Sequence, residues 1–187
     1  MLTHHQFIQF IGAVLRPKVY FELGVDEGEN FKLIEPYVDT AIAVDTEIPE
    51  CLKGDETWKS YEMTTDEFFD HELPKADLIF IDADHSYESA KKDLINSLRC
   101  LNYGGIIIMH DTDPGGEKFE RAELCNDVHK IVGDLEEGTL KHEGVDVNIL
   151  TLPIGLPGLS LITKKNSSRT QKRHRADFSR LNKKVKV

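Results

Sequence analysis

The chain has 187 residues, 40% hydrophobic and 30% charged, with a formal net charge of −10. That length supports one domain with a sizeable core, and no stretch approaches the roughly 20 apolar residues of a membrane span. The charge is split: residues 164–187 carry ten Lys or Arg against a single acid, Asp177, which leaves −19 on residues 1–163. An acidic body argues against a nucleic-acid groove on the folded part. Three scattered cysteines, Cys51, Cys100 and Cys125, suit reduced thiols in a cytoplasmic setting better than a disulfide framework.

The predicted elements alternate along the chain. Residues 3–15 show helical spacing at His4, Phe7, Ile8, Phe10, Ile11, Val14 and Leu15, and Pro17 closes that helix. Met1 to Leu15 lacks a basic start and a small-residue cleavage site, so it is not read as a signal peptide. Val19–Leu23 is the first strand, Gly24–Gly28 a tight turn, and Asn30–Val38 a short helix with Pro36 near its end. Ala41–Val44 is a second strand that runs into Asp45. Residues 46–57 read as loop or a poor helix, Trp58–Met63 as a third strand, and Thr65–Phe69 as a short helix capped by threonine.

Asp77–Ile81 is the fourth strand, Ser86–Leu101 a helix with one apolar face, and Gly105–Met109 the fifth strand after a Gly104-Gly105 break. Glu117–Leu135 reads as a long polar helix. Val145–Leu152 and Leu159–Thr163 finish the domain as a hairpin, joined through Pro153, Gly155, Pro157 and Gly158. Alternation of this kind predicts an α/β fold: a Rossmann-like, doubly wound, mostly parallel sheet with a C-terminal antiparallel hairpin. The expected organisation is one domain over 1–163, with its N-terminal helix in 1–17, followed by a basic tail over 164–187. The tail is polar and poor in apolar residues, which predicts disorder, with polyanion contact as its functional reading.

Two features carry chemistry. Gly24 to Gly28 follows an apolar strand and precedes a helix, where glycine lets backbone approach a ligand. Asp26 and Glu29 stand where a dinucleotide pattern needs glycine, so phosphate-bearing cofactors are disfavoured and a cationic one is favoured. Asp45, at the end of the next strand, is spaced to bind ribose hydroxyls. The second feature is a pair of Ile-rich strands that each end on ligand residues: Leu78–Ile81 before Asp82-Ala83-Asp84-His85, and Ile106–Met109 before His110-Asp111. Ligands bind outside the carboxyl ends of parallel strands, so these two clusters predict one site. Carboxylate with imidazole can hold Mg, Mn or Fe, or move a proton.

On the segments ELGVDEG (22–28), VDTE (44–47), ADLIFIDADHSYE (76–88) and GGIIIMHDT (104–112), the chain resembles the class I S-adenosylmethionine-dependent methyltransferases. It is similar in particular to the metal-dependent O-methyltransferases of the catechol and caffeoyl-CoA type. The resemblance implies a seven-stranded sheet with its last strand antiparallel. It implies S-adenosyl-L-methionine as cofactor, with Glu22, Gly24 and Gly28 along its methionine part and Asp45 on its ribose. Met63 and Thr64 stand near the adenine, and Asp82 also borders the cofactor. Matched residue by residue, Asp82, His110 and Asp111 take the places of the metal ligands, and His85 the place of the base, with Asp82 and His110 as its catalytic neighbours. His110 departs from the carboxylate of those relatives.

The implied activity is O-methylation of a small hydroxylated acceptor, with a homodimer as one way to complete the acceptor pocket. Two other functions fit the residues: a metal-dependent hydroxylase on the same fold, and a polyanion-binding protein with a vestigial cofactor site. His4, His5, His71, His129, His142 and His174 read as surface residues, and Trp58 and Phe68 as core.

Overall fold

The structure is a computed structural model, and it describes residues 3–54, 56–121, 124–138, 140, 146–154 and 157–165. Seven strands form one sheet: β1 (Val19–Leu23), β2 (Thr40–Asp45), β3 (Lys59–Glu62), β4 (Ala76–Ile81), β5 (Leu101–His110), β6 (Val147–Leu152) and β7 (Leu159–Lys164). Their order is β3-β2-β1-β4-β5-β7-β6. The first five strands pair in parallel, and β7 is antiparallel to both β5 and β6. The Rossmann-like reading with its terminal hairpin therefore holds. The basic segment expected from residue 164 lies outside the described residues apart from Lys164, which closes β7, and Lys165.

Side chains alternate across a strand, and here both faces are buried. Phe21, Leu23, Ile42, Val44, Ile79, Ile81, Ile107 and Met109 form one core with Phe68 of α3 (Thr65–Phe69), Leu94 and Leu98 of α4 (Tyr87–Cys100), and Ile131 of α5 (Lys130–Glu137). Tyr20, Ala41, Ala43, Leu78, Phe80 and Ile108 form the other core with Ile8 of α1 (His4–Leu15) and Phe31 and Ile34 of α2 (Glu29–Ile34). Two-sided burial explains why β4 and the end of β5 read as unbroken apolar runs. Phe68 is fully buried and Trp58 packs edge-on against Phe31, so both belong to the packing, as expected.

Several local expectations change. The apolar spacing of α1 is only half used, because Phe10, Val14 and Leu15 are exposed while Ile8 is buried. α2 is shorter than predicted, since Pro36 diverts its end into a 3₁₀ turn at Glu35–Tyr37. The strand β5 begins before the glycine pair rather than after it. A register shift opposite Ala76 to Leu78 absorbs the extra residues, and a side chain at Gly105 would come within 2.9 Å of the Asp77 carbonyl.

The long helix predicted from Glu117 is absent. A single 3₁₀ turn covers Glu117–Phe119, Asn126 is left-handed at φ 46°, and regular helix starts only at Lys130. The Asp127 carboxylate accepts a hydrogen bond from the backbone N–H of Tyr87 at 2.6 Å, and buried Cys125 and Val128 anchor the same stretch. These tertiary ties outweigh a weak propensity of the kind polar helices rely on. Among the described residues, no helix is long and apolar enough to cross a membrane.

One helix carries an unexpected cost. Asp93 of α4 is 1% exposed, and neither carboxylate oxygen has a hydrogen-bond partner. Burial pushes its pKa up to about 6, which the nearby Thr65 hydroxyl offsets only in part. The native state then holds this proton at pH values where the unfolded chain, titrating near 4, has lost it. Stability falls as pH rises from about 4 to 6, and the full cost is present above that range. Asp93→Asn removes the charge, so it should raise unfolding stability by roughly 2–3 kcal/mol at pH 7.5 and by little at pH 4.5. Urea denaturation at the two pH values checks this, and an equal effect at both would contradict the assignment.

Candidate active site

The turn after β1 is pressed against the end of β4. Gly24 N–H donates to the Val44 carbonyl at 2.9 Å, and Asp82 N–H donates to the Leu23 carbonyl at 2.8 Å. Gly24 has φ 83°, and a Cβ there would lie 2.1 Å from the Asp82 carbonyl oxygen. Only glycine meets both conditions. Asp45 then ties the turn to β2: its Oδ2 accepts from the backbone N–H of Val25 at 2.8 Å and of Asp26 at 3.3 Å, and its Oδ1 from that of Glu47 at 3.2 Å. Glu22, 1% exposed, accepts a hydrogen bond from the Tyr20 hydroxyl. Burial pushes the Glu22 carboxyl up to about 8.

Two cavities flank this turn. The larger, about 880 Å³, is lined by Gly24, Asp45, Thr46, Met63, Thr64 and Asp82 among others. Its size suits a nucleoside-sized ligand. The smaller, about 270 Å³, is lined by His4, His5, Glu22, Gly24, Asn30 and Asp82 among others. Gly24, Asp26, Glu27 and Asp82 wall both. Six of the residues expected at a cofactor, Glu22, Gly24, Asp45, Met63, Thr64 and Asp82, thus face one or the other space. Gly28 faces neither; at φ 80° it starts α2, with Leu52 and Cys51 packed around it.

The strand-end cluster forms beside these cavities. Asp82 follows β4, His110 ends β5, and Asp111 follows it. His110 Nδ1 lies 3.0 Å from Asp82 Oδ1 and 3.2 Å from Asp111 Oδ1. His85 reaches across with Nε2 3.4 Å from Asp82 Oδ1 and Nδ1 3.1 Å from Asp111 Oδ2. Its Nδ1 also lies 2.5 Å from the Leu124 carbonyl. An N–H donating there leaves Nε2 as the lone-pair nitrogen of the neutral ring.

Asp111 has φ 61°, an uncommon left-handed conformation for a residue with a side chain, and is 3% exposed. Its Oδ2 and the His110 Nε2 are buried without a hydrogen bond, as is the neighbouring Thr112 hydroxyl. One ligand atom each from Asp82, His85 and Asp111 lie within 4.8 Å of one another, a donor set suited to a divalent cation. This donor set has His85 where the sequence suggested His110, although His110 Nδ1 also contacts both carboxylates.

The electrostatics follow the contacts. Burial alone would raise the Asp82 pKa, but hydrogen bonds from His110 and His85 hold it well below the usual carboxylate range. The Asp82 hydrogen bond lifts His85 to about 9 against the opposing effect of burial. Burial lowers His110, and the Asp82 contact outweighs it in the upward direction. Burial raises Asp111.

Two histidines expected at the surface belong here instead. The His4 ring packs 4.5 Å from that of His110, and His5 Nδ1 lies 2.7 Å from Asn30 Oδ1. Burial, with His110 and His5 adding to it, lowers His4 to about 4. His129, also expected at the surface, is half-buried with its Nδ1 unpartnered, and His142 and His174 lie outside the described residues. Lys92 lines the larger cavity beside Asp84 without having been singled out from the sequence, with Nζ 2.7 Å from Asp66. Lys92 lies six residues past the Ser86 cap of α4.

Residues 21–112 match the family described as methyltransferase domain. The chain carries a methyltransferase domain on the class I S-adenosylmethionine-dependent methyltransferase fold. Solved structures share the fold at low identity. A cofactor-bound protein from MTB, Rv0187, is 15% identical, with 87% of this chain and 80% of that one covered at a TM-score of 0.66. The O-methyltransferase from Bacillus cereus in complex with SAH is 13% identical, with 86% and 80% covered at 0.60. TomG from Streptomyces achromogenes, an O-methyltransferase involved in tomaymycin synthesis and solved with SAM, is 11% identical, with 87% and 79% covered at 0.63. No curated protein matches the sequence.

The methyltransferase turn rests on Gly24. Gly24→Ala should lower unfolding stability by about 2–5 kcal/mol, combining a left-handed alanine with overpacking against Asp82. Chemical denaturation reads this out, and a loss below about 1 kcal/mol would show that the turn relaxes freely.

Proposed function

We propose that the chain transfers a methyl group from S-adenosyl-L-methionine to a hydroxyl of a small acceptor at the Asp82–His85–Asp111 cluster. The observation that carries this reading is the shared wall: Asp82 lines both cavities and also belongs to the cation donor set. Cofactor space and acceptor chemistry therefore meet at one residue. The B. cereus relative, an O-methyltransferase in complex with SAH, supports the reaction class.

In this reading Asp45 binds the ribose hydroxyls with the lone pairs its backbone partners leave free, and Met63 and Thr64 border the adenine. Glu22 and the backbone at Gly24 flank the methionine part. The bound cofactor supplies a methyl group already activated on a sulfonium. The acidic turn, with Asp26 and Glu27, suits a positively charged cofactor without phosphates. Asp82, Asp111 and, once its proton is displaced, the Nε2 of His85 are the donors that would hold Mg, Mn or Fe, and such an ion would acidify the acceptor hydroxyl. His110 is a positioning residue: its Nδ1 fixes the Asp82 oxygen, and His4 packs on its ring. Alignment of acceptor and methyl group then accounts for most of the rate. The small-molecule acceptor, a homodimer and the cytoplasmic setting remain parts of this proposal, as does the single domain over 1–163 with a polyanion-binding tail.

Two measurements test it. Asp45→Ala should weaken S-adenosyl-L-methionine binding in calorimetry by about 1–3 kcal/mol, the usual cost of losing a charged hydrogen-bond partner. Unchanged affinity would remove the ribose assignment. Chelation should abolish methyl transfer, with recovery on adding Mg or Mn, and Asp111→Asn should lower Mn affinity in equilibrium dialysis by tenfold or more, about 1.4 kcal/mol. Activity insensitive to chelator would remove the cation from the reading.

A further inference from the structure

The candidate site lies where β1, β4 and β5 end; the opposite end of the sheet, where they begin, carries different chemistry. Lys18 precedes β1, Lys75 precedes β4, Arg99 lies in the last turn of α4 before β5, and antiparallel β7 brings Lys164 and then Lys165 to the same end. Elsewhere lysines pair with carboxylates, as Lys53 does with Glu62, Lys92 with Asp66 and Lys130 with Asp127. Among the described residues, Lys18, Lys75, Lys164 and Lys165 have no such partner. Asp77, which stands among them, spends its oxygens on the backbone N–H groups of Lys18 and Val19 and on the side-chain amide of Asn102. Lys75 Nζ donates to the Arg99 carbonyl at 2.5 Å and Lys164 Nζ to the Leu101 carbonyl at 2.7 Å. These bonds close the end of α4 and fix both ammonium groups, each with further N–H groups to offer. Burial and the facing charge of Lys75 both lower the Lys164 pKa, as two ammonium groups held near each other require.

A second, independent feature indicates which anion fits. Tyr103 is 67% exposed, although it belongs to the strand whose far end is buried, and Lys164 Nζ lies 5.2 Å from the centre of its ring. A side chain at the adjoining Gly104 would meet no atom within 4 Å, so the surface beside the ring is open. A flat exposed ring flanked by fixed ammonium groups matches the repeating unit of a single-stranded nucleic acid, which offers a base to stack and a phosphate to pair. The most basic segment of the chain, with ten Lys or Arg over residues 164–187, begins on Lys164 itself.

Resting on the polyanion reading of that segment, we infer that the folded domain binds single-stranded nucleic acid at the end of the sheet opposite the candidate site, with a base stacked on Tyr103 and phosphates on Lys75 and Lys164. The basic segment and this surface are joined covalently at Lys164, so they engage one strand together and each raises the effective concentration of the other's ligand. The acidic turn at Asp26 and Glu27, at the other end of the sheet, repels the same polymer, which leaves the two cavities free. The net negative charge of residues 1–163 therefore orients the polymer rather than excluding it.

The test uses the full chain with a fluorescein-labelled oligo-uridine of about 20 nucleotides, read by fluorescence anisotropy between about 50 mM and about 200 mM salt. Heparin and phosphatidylserine vesicles are the comparison ligands. Tyr103→Ala should weaken oligo-uridine binding by about fivefold or more and leave heparin binding unchanged, while Tyr103→Phe keeps the original affinity. Because the ring is exposed, Tyr103→Ala should fold as the parent does, which urea denaturation checks. Lys75→Gln/Lys164→Gln should weaken both ligands and reduce the slope of log K against log salt for the oligonucleotide by about 1.4, at about 0.7 per phosphate contact. Oligo-uridine binding that Tyr103→Ala leaves unchanged overturns the inference and assigns the affinity to the basic segment alone. Tighter binding to vesicles than to the oligonucleotide also overturns it and assigns the surface to lipid headgroups. Binding of neither heparin nor oligo-uridine by the full chain is a different result: it removes the polyanion reading on which the inference stands.

Discussion

The backbone of β1 turns within contact of the backbone that leaves β4, and the rest of the site depends on that approach. The space exists because Gly24 has no side chain; its Cβ position is 2.1 Å from the Asp82 carbonyl. With the strands this close, Asp82 N–H can donate to Leu23, and the Asp82 side chain projects where both cavities reach it. Asp45 secures the far side of the turn by accepting from two successive backbone N–H groups. Such paired acceptance satisfies donors that a tight turn would otherwise leave unpaired, so the turn is held by hydrogen bonds as well as by packing.

Charge compensation organises the next layer. Asp82 is a half-buried carboxylate flanked by two imidazoles, and Asp111 touches the same two rings. Each imidazole is drawn toward protonation by carboxylates that burial alone would have neutralised. The result is a four-residue network in which removing any member leaves a buried partner uncompensated, the expensive situation for interior charge. A network of this kind fixes side-chain positions whether its positive charge comes from imidazolium or from a bound cation. That gives Asp82 and Asp111 a defined geometry before any ligand arrives, which is the condition for catalysis by alignment.

Much of this was legible in the chain because strand ends are marked by abrupt changes of residue type. Leu78–Ile81 stops at Asp82 and Ile106–Met109 stops at His110, and the sheet brings the two stops together through the pairing of Ile81 with Met109. The period-two alternation of side chains within each strand likewise fixes the side of the sheet on which each apolar residue lies. What sequence did not reveal depends on long-range packing. His4 looks like a polar residue at a helix start, and only the crossing of α1 over α2 carries it to His110. The segment from Glu117 to Leu135 has helical composition, yet Asp127 is used to hold the N-terminus of α4, and a left-handed Asn126 is incompatible with a continuous helix. Nor does composition show that Asp93, on a helix with many exposed charges, is shut away from water.

The left-handed Asp111 raises the question of what keeps its backbone there, since such conformations persist only where the surroundings over-determine them. The answer lies about fifty residues further along the chain. β7 inserts antiparallel beside β5, pairing Leu159 with His110, and Asp113 N–H donates to the Pro157 carbonyl at 2.8 Å. Gly158, at φ 85°, packs so closely on Asp113 that a Cβ would fall 2.5 Å from the Asp113 side chain. The chain is thus clamped immediately before and two residues after Asp111, which leaves its backbone little freedom. The terminal hairpin does more than complete the sheet: through Pro157, Gly158 and Leu159 it holds one carboxylate of the cluster in position, while the glycine turn after β1 does the same for the other.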